Sequence, residues 1–166
     1  MGRKKIKKDQ VLIIGGCGYI GSRLFEYLKK KKYHVDTVDL EWFGNVSNPK
    51  NIKKNYRFLS AKFLKKYDTI ILLAGNSSIP MAEKKMLHTF RNNVINFLYL
   101  LDKIGSQKFI YASSSSVYGS TRQNEVPEDY DRYIPTNYYD LTKKEIDYYA
   151  HLSNVNYFGL RMGTVC

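Results

Sequence analysis

A chain of 166 residues, 43% hydrophobic and 25% charged, has the length for one core and the composition of a globular domain. No apolar run approaches the roughly 20 residues of a membrane helix, and the basic first residues lead into no signal-type apolar stretch, so the expected location is cytoplasmic, with no membrane partner. The net charge of +12 would attract a polyanion, but the lysines fall in dispersed doublets without interleaved aromatics, which reads as solvated helix ends and argues against nucleic acid.

Residues 1–9 read as a basic, flexible tail, and residues 10–166 as one domain. A short apolar run at 11–14 predicts a buried strand. A glycine loop follows at 15–21. Ile20, Leu24, Phe25 and Leu28 then recur at helical spacing, predicting a helix to about residue 31. A second strand is predicted at 33–40, mostly loop at 42–55, a short third strand at 56–59 and a helix at 61–66. The run TIILLA at 69–74 is a strong strand. A helix spans 81–104, with a break near its start, and the next strand runs over 108–112. Residues 113–135 form a long polar segment of the kind that carries function or disorder. A helix at 139–152 and a strand at 155–161 close the chain. Alternation of this kind specifies a parallel α/β sheet with right-handed crossovers, and six strands suit the doubly wound order 3-2-1-4-5-6.

Four motifs carry chemistry. Gly15, Gly18 and Gly21 stand between the first strand and the first helix. In that context they allow a tight turn, close approach of the backbone to a pyrophosphate, and tight helix packing. The helix N-terminus that follows, with Tyr19 and Ile20 in its first turn, offers free N–H groups to phosphate. Asp39 ends the second strand, 18 residues beyond Gly21. A carboxylate there bonds both ribose hydroxyls of NAD and repels the 2′-phosphate of NADP, although a strand-end cap is the bland alternative. Tyr139 and Lys143 lie one helical turn apart on one face, where an ammonium favours the phenolate and makes a usable base. With 15 tyrosines in the chain that spacing alone carries little weight. Finally, Ser113 to Gly119 directly follows the fifth strand, at the sheet end where ligands bind. Two cysteines, Cys17 and Cys166, make no disulfide framework or metal spacing, and Cys17 reads as a small loop filler.

In this order and spacing the motifs resemble the extended short-chain dehydrogenase/reductase family, in particular its NAD-dependent epimerases and dehydratases, of which UDP-galactose 4-epimerase is the best-known type. Leu72-Leu73-Ala74-Gly75, Asn92-Asn93-Val94, Phe109 to Ser114 and Leu160-Arg161 extend the likeness from residue 11 to the end. The resemblance implies a Rossmann-type fold, NAD as cofactor and a nucleotide-sugar substrate. It implies that Ser114 bonds the reacting hydroxyl, Tyr139 is the base, and Lys143 binds the nicotinamide ribose. It further implies that Ala74 and Gly75 line the cofactor and that Asn93 is a structural and active-site asparagine. Dimerisation through the helices at 81–104 and 139–152 is a family expectation.

The chain departs from the pattern in places. The acidic pair of the dehydratases is replaced by Ser115 and Ser116, which argues against 4,6-dehydration. The aspartate that contacts adenine after the third strand is missing, with Asn55 in its place, and Thr164 stands where the epimerases carry asparagine. Family members run on for about as many residues again, so the chain reads as the cofactor-binding part, with little turnover expected alone and the C-terminal half as a possible partner. The alternatives are a family reductase or decarboxylase on another nucleotide sugar, and a non-catalytic protein that binds NAD or RNA.

Overall fold

The computed structural model describes residues 9–45, 48–119, 125–163 and 165. The expected basic tail, apart from Asp9, lies outside the described residues, as do Thr164 and Cys166.

Six parallel strands form one sheet in the order β3-β2-β1-β4-β5-β6. They are β1 (Gln10–Ile14), β2 (His34–Asp39), β3 (Ile52–Lys53), β4 (Thr69–Leu72), β5 (Lys108–Ser114) and β6 (Tyr157–Met162). The central β1 is buried on both faces, as its unbroken VLII run requires. Ile14 lies beside Val38 on one side and Leu72 on the other. The doubly wound order expected from the alternation is present.

Helix α1 (Tyr19–Lys30) packs on one face of the sheet through Phe25, with Leu24 and Leu28 against Val11, Ile13 and Val35. The other face carries the larger core, in which Phe97, Phe109 and Tyr111 meet ring to ring with centroids 5.3–5.7 Å apart. Such contacts add to the burial that aromatic side chains already bring.

Two expectations shift, in the third strand and in the length of β5, while the break expected near the start of the long helix is present. The third strand is Ile52–Lys53, and 56–59 is not a strand. Tyr56–Phe58 is a 3-10 turn capped by Asn55, whose side chain accepts from the Arg57 N–H. This local side-chain bond offers the backbone an alternative to a ladder. Ser60 similarly caps the short α2 (Ala61–Leu64). The long helix divides into α3 (Ile79–Lys84) and a second segment, because Lys85 leaves the helical region at φ −146° and ψ 64°. That segment comprises α4 (Met86–Phe90), a π-helical stretch (Arg91–Ile95) and α5 (Asn96–Leu101). Strand β5 is longer than predicted and carries Ser113 and Ser114 inside the sheet.

Helix α6 (Tyr138–Leu152) is fastened to β5 and β6 by one carboxylate. Asp147 accepts from the Tyr111 hydroxyl at 2.9 Å, the Ser113 hydroxyl at 3.0 Å and Arg161 Nε at 2.9 Å. Arg161 also donates to the Tyr118 hydroxyl and the Glu128 carbonyl. Removing one partner of a desolvated pair strands the other, and that costs more than the pair contributes. Asp147→Ala is therefore expected to lower stability by about 3 kcal/mol in urea unfolding, whereas Asp131→Ala, which breaks the more exposed pair with Lys144, should cost less than about 1 kcal/mol.

Candidate active site

The C-terminal edge of the sheet opens into a cleft of about 640 Å³. One end is the glycine loop between β1 and α1. Gly15 has φ +93°, and a Cβ there would sit 2.5 Å from the Ala74 backbone nitrogen. A side chain on Gly21 would collide with the Gly15 carbonyl. These two glycines are thus required by close backbone approach. A Cβ on Gly18, by contrast, would only touch the Gly15 carbonyl at 3.4 Å. Gly18 is the N-cap of α1, with no side chain to occupy the first-turn N–H groups and no acidic residue in that turn. The helix start is open to an anion. Gly15, Gly18, Tyr19, Ile20 and Gly21 all line the cleft.

Asp39 lies at the end of β2 on the cleft wall, and both its oxygens are held. Oδ2 accepts from the Cys17 N–H at 3.0 Å and Oδ1 from the Glu41 N–H at 2.7 Å. Those bonds fix the carboxylate and leave lone pairs for further donors. Burial, then Asp39 and Glu41, push the Cys17 thiol up to about 11, which leaves it neutral at physiological pH and unreactive.

The far end of the cleft gathers Ser114, Tyr139 and Lys143 from β5 and α6. The Ser114 hydroxyl faces that of Tyr139 closely enough to favour the phenolate. The Ser114 hydroxyl also lies 2.8 Å from that of Ser116. Lys143 Nζ donates to the Ala112 carbonyl at 2.7 Å and is 5.8 Å from the Tyr139 ring centroid. Burial lowers Lys143 to about 8, opposed by the negative charge of Asp147. Tyr139 is raised above its ordinary value by burial; the Ser114 hydroxyl pulls it down, and Asp140 pushes it up. The expected downward pull of Lys143 on Tyr139 is thus not expressed in this arrangement, because the ammonium is spent on a backbone carbonyl.

Ala74 and Gly75, just past β4, also line the cleft. Asn93 does not. It is buried, its Oδ1 accepts from the Asn76 N–H at 2.8 Å, and its Nδ2 donates to the Asn76 carbonyl and to Thr142 Oγ1, each at 3.0 Å. Asn93 therefore ties the loop after β4 to α6, while its neighbour Asn92 and, a turn later, Asn96 reach the cleft. The π-helical stretch sets this division, since its extra residue per turn changes which side chains face inward. Sequence reading missed Asn92 and Asn96, as well as Trp42 and Phe43, which line the opposite end. Asp39 is the only carboxylate among the described residues lining the cleft. No helix among the described residues is long and apolar enough to cross a membrane.

Known proteins share this fold. The family model described as the NAD dependent epimerase/dehydratase family matches residues 11–166. UDP-glucose 4-epimerase of Lacticaseibacillus casei is 29% identical over 89% of this chain and 47% of its own length. The UDP-N-acetylglucosamine 4-epimerase of Methanobrevibacter ruminantium M1, solved with UDP-N-acetylmuramic acid, superposes with TM-score 0.83 at 27% identity, over 94% of this chain and 55% of its own. MoeE5, solved with UDP-glucuronic acid and NAD, gives TM-score 0.78 at 25% identity, over 92% of this chain and 54% of its own. The chain spans about half the length of the relatives it matches.

Lys143 yields a prediction with a defined sign. Its folded pKa, about 8, lies below the unfolded value near 10.5, so the native state resists protonation and stability rises as pH increases from 8 towards 10.5. Below pH 8 the full cost of the buried charge is present. Lys143→Met should therefore stabilise the chain at pH 7 by on the order of 1–3 kcal/mol, net of the lost bond to Ala112. That gain should shrink above pH 8 in urea unfolding at stepped pH.

Proposed function

The chain belongs to the NAD dependent epimerase/dehydratase family, and on that footing we propose that it is the cofactor-binding part of an epimerase-type oxidoreductase acting on sugar nucleotides. The observation that supports this best is the convergence of Ser114, Tyr139 and Lys143 on a cleft whose other end is a glycine loop and a fixed carboxylate.

The residues present fit the cofactor of this family. Gly15, Gly18 and Gly21 leave the room, and the N–H groups of Tyr19 and Ile20 the charge, for a pyrophosphate. Asp39 would hold the adenosine ribose hydroxyls, Ala74 and Gly75 would flank the dinucleotide, and Lys143 would bind the nicotinamide ribose. Asn93 acts indirectly, by fixing the loop that carries Gly75 and Asn76. When bound, NAD supplies a reversible hydride acceptor beside the sugar carbinol.

The protein supplies the proton chemistry. Ser114 orients the sugar hydroxyl, and the Tyr139 phenolate oxygen takes its proton. Burial holds the Tyr139 proton on, so forming the phenolate requires a cation nearby. The Lys143 ammonium, one helical turn along α6, is positioned for that once a ribose hydroxyl competes with the Ala112 carbonyl for it. Ser115 and Ser116 stand on the cleft wall, where loss of water from the sugar would need a carboxyl pair. That favours epimerase-type hydride chemistry over dehydration.

Thermal unfolding with added dinucleotide tests the reading, since a ligand of the folded state alone raises the midpoint. NAD⁺ should raise it and NADP⁺ should not, and Asp39→Ala should remove the preference. With UDP-glucose added to the NAD⁺-loaded chain, any absorbance growth at 340 nm should fall at least about a hundredfold in Tyr139→Phe. A chain that unfolds cooperatively and responds to neither dinucleotide would refute the proposal.

A further inference from the structure

We propose that Trp42 and Phe43 form an aromatic clamp for the adenine base of the dinucleotide, an inference that rests on the cofactor reading above. The two side chains stand just past Asp39. A carboxylate that holds the adenosine ribose places the attached base at this end of the cleft. Across from them lie Lys54, Asn55 and Tyr56.

The backbone presents the pair deliberately. The Gly44 N–H donates to the Glu41 carbonyl at 3.0 Å, closing a turn with Trp42 and Phe43 at its two central positions. Those positions usually carry glycine, proline, asparagine or aspartate. Glu41 adopts φ +58°, a conformation that a glutamate takes only when its surroundings impose it. The imposing contacts are visible: its carboxylate accepts from Asn45 at 2.9 Å and Asn51 at 3.1 Å and pairs with Lys53 at 3.0 Å. The turn is built, and what it holds up is aromatic.

Exposure points to a ligand. Phe43 is 83% exposed and Trp42 46%, although both line the cleft. Apolar surface of this size beside a cleft marks a binding site more often than a solvated face. Trp42 is supported from outside by His88 of α4, with ring centroids 5.5 Å apart and planes inclined at 34°. His88 does not line the cleft. The indole is therefore held in place with a side free to meet a flat base.

Asn55, which also lines the cleft, spends one lone pair of its side-chain Oδ1 on the Arg57 N–H at 3.0 Å as the cap of the 3-10 turn. The purine face and the indole can stack without directional bonds.

Trp42 is the only tryptophan in the chain, so its fluorescence reports this site alone. AMP and NAD⁺ are expected to quench it, and nicotinamide mononucleotide, which lacks adenine, is not. By calorimetry Trp42→Ala and Phe43→Ala should each weaken NAD⁺ binding about tenfold, and Trp42→Phe by less than about threefold. Unfolding midpoints of all three variants check that the fold persists. Wild-type affinity for NAD⁺ in both alanine variants would overturn the clamp while leaving the cofactor reading intact, as would equal quenching by the mononucleotide. A wild-type chain that binds neither NAD⁺ nor AMP would overturn both.

Discussion

A buried ammonium is the constraint on which one end of the cleft turns. Lys143 is held between β5 and α6, where desolvation works against its charge, and one backbone carbonyl and one more distant carboxylate are what oppose that penalty. The arrangement is tolerable only because α6 is fastened to the sheet by other means. Asp147, one turn further along the same face, takes hydrogen bonds from the side chains of Tyr111 and Ser113. Ala112, between them, offers its carbonyl to Lys143. Strand β5 thus grips α6 with three successive residues, and the next residue, Ser114, meets Tyr139 as a consequence. Stability given up at Lys143 and recovered at Asp147 is the pattern expected where a site needs a charge that the fold alone would exclude.

The two ends of the cleft are built by different physics. At the glycine loop the backbone itself is the functional group, and the sequence must remove side chains to let it act. Gly15 and Gly21 meet neighbouring backbone closely, while Gly18 has space and leaves the helix start uncapped. At the end that holds Ser114 and Tyr139 the side chains line the cleft, and their placement depends on hydrogen bonds between distant parts of the chain. Asn93 joins the loop after β4 to α6, spanning 49 residues to Thr142. Such long-range bonds explain why the cleft has a defined shape although loops form much of its wall.

Much of this was legible in the sequence because it depends on local pattern. Apolar runs of the VLII and TIIL kind announce buried parallel strands, and three spaced glycines between a strand and a helix announce the loop. The alternation then fixes the order of the sheet. The misses have a common cause in side chains that compete with the backbone. The apolar Tyr56 and Phe58 suggested a strand, but Asn55 caps a turn there, and two residues, Ile52 and Lys53, suffice for the edge strand beside β2. The π-helical stretch carries no sequence signature, so Asn93 read as a cleft residue where Asn92 lines it instead. The state of Tyr139 was equally hidden, because a Tyr-x-x-x-Lys spacing sets proximity along a helix but not where the ammonium finds its partner.

The uneven covering of the sheet places the site in a larger context. On the face that carries α5 and α6, the core is continuous from Leu12 to Phe109 and Ile146. On the opposite face, α1 covers Ile13 and Ile71, but Phe158 and Leu160 of β6 are about half exposed. The registers Ile71 to Ile110 and Ile110 to Phe158 put these residues in one row across the sheet. The row is thus covered at β1 and β4 and half exposed at β6, the strand beside the one that carries Ser114. The other end of the cleft, lined by the glycine loop, Asp39 and the aromatic turn, lies over the covered part. The two ends of the cleft therefore differ in what supports them: packed structure under the glycine loop, and a half-exposed row of side chains on β6 at the other end.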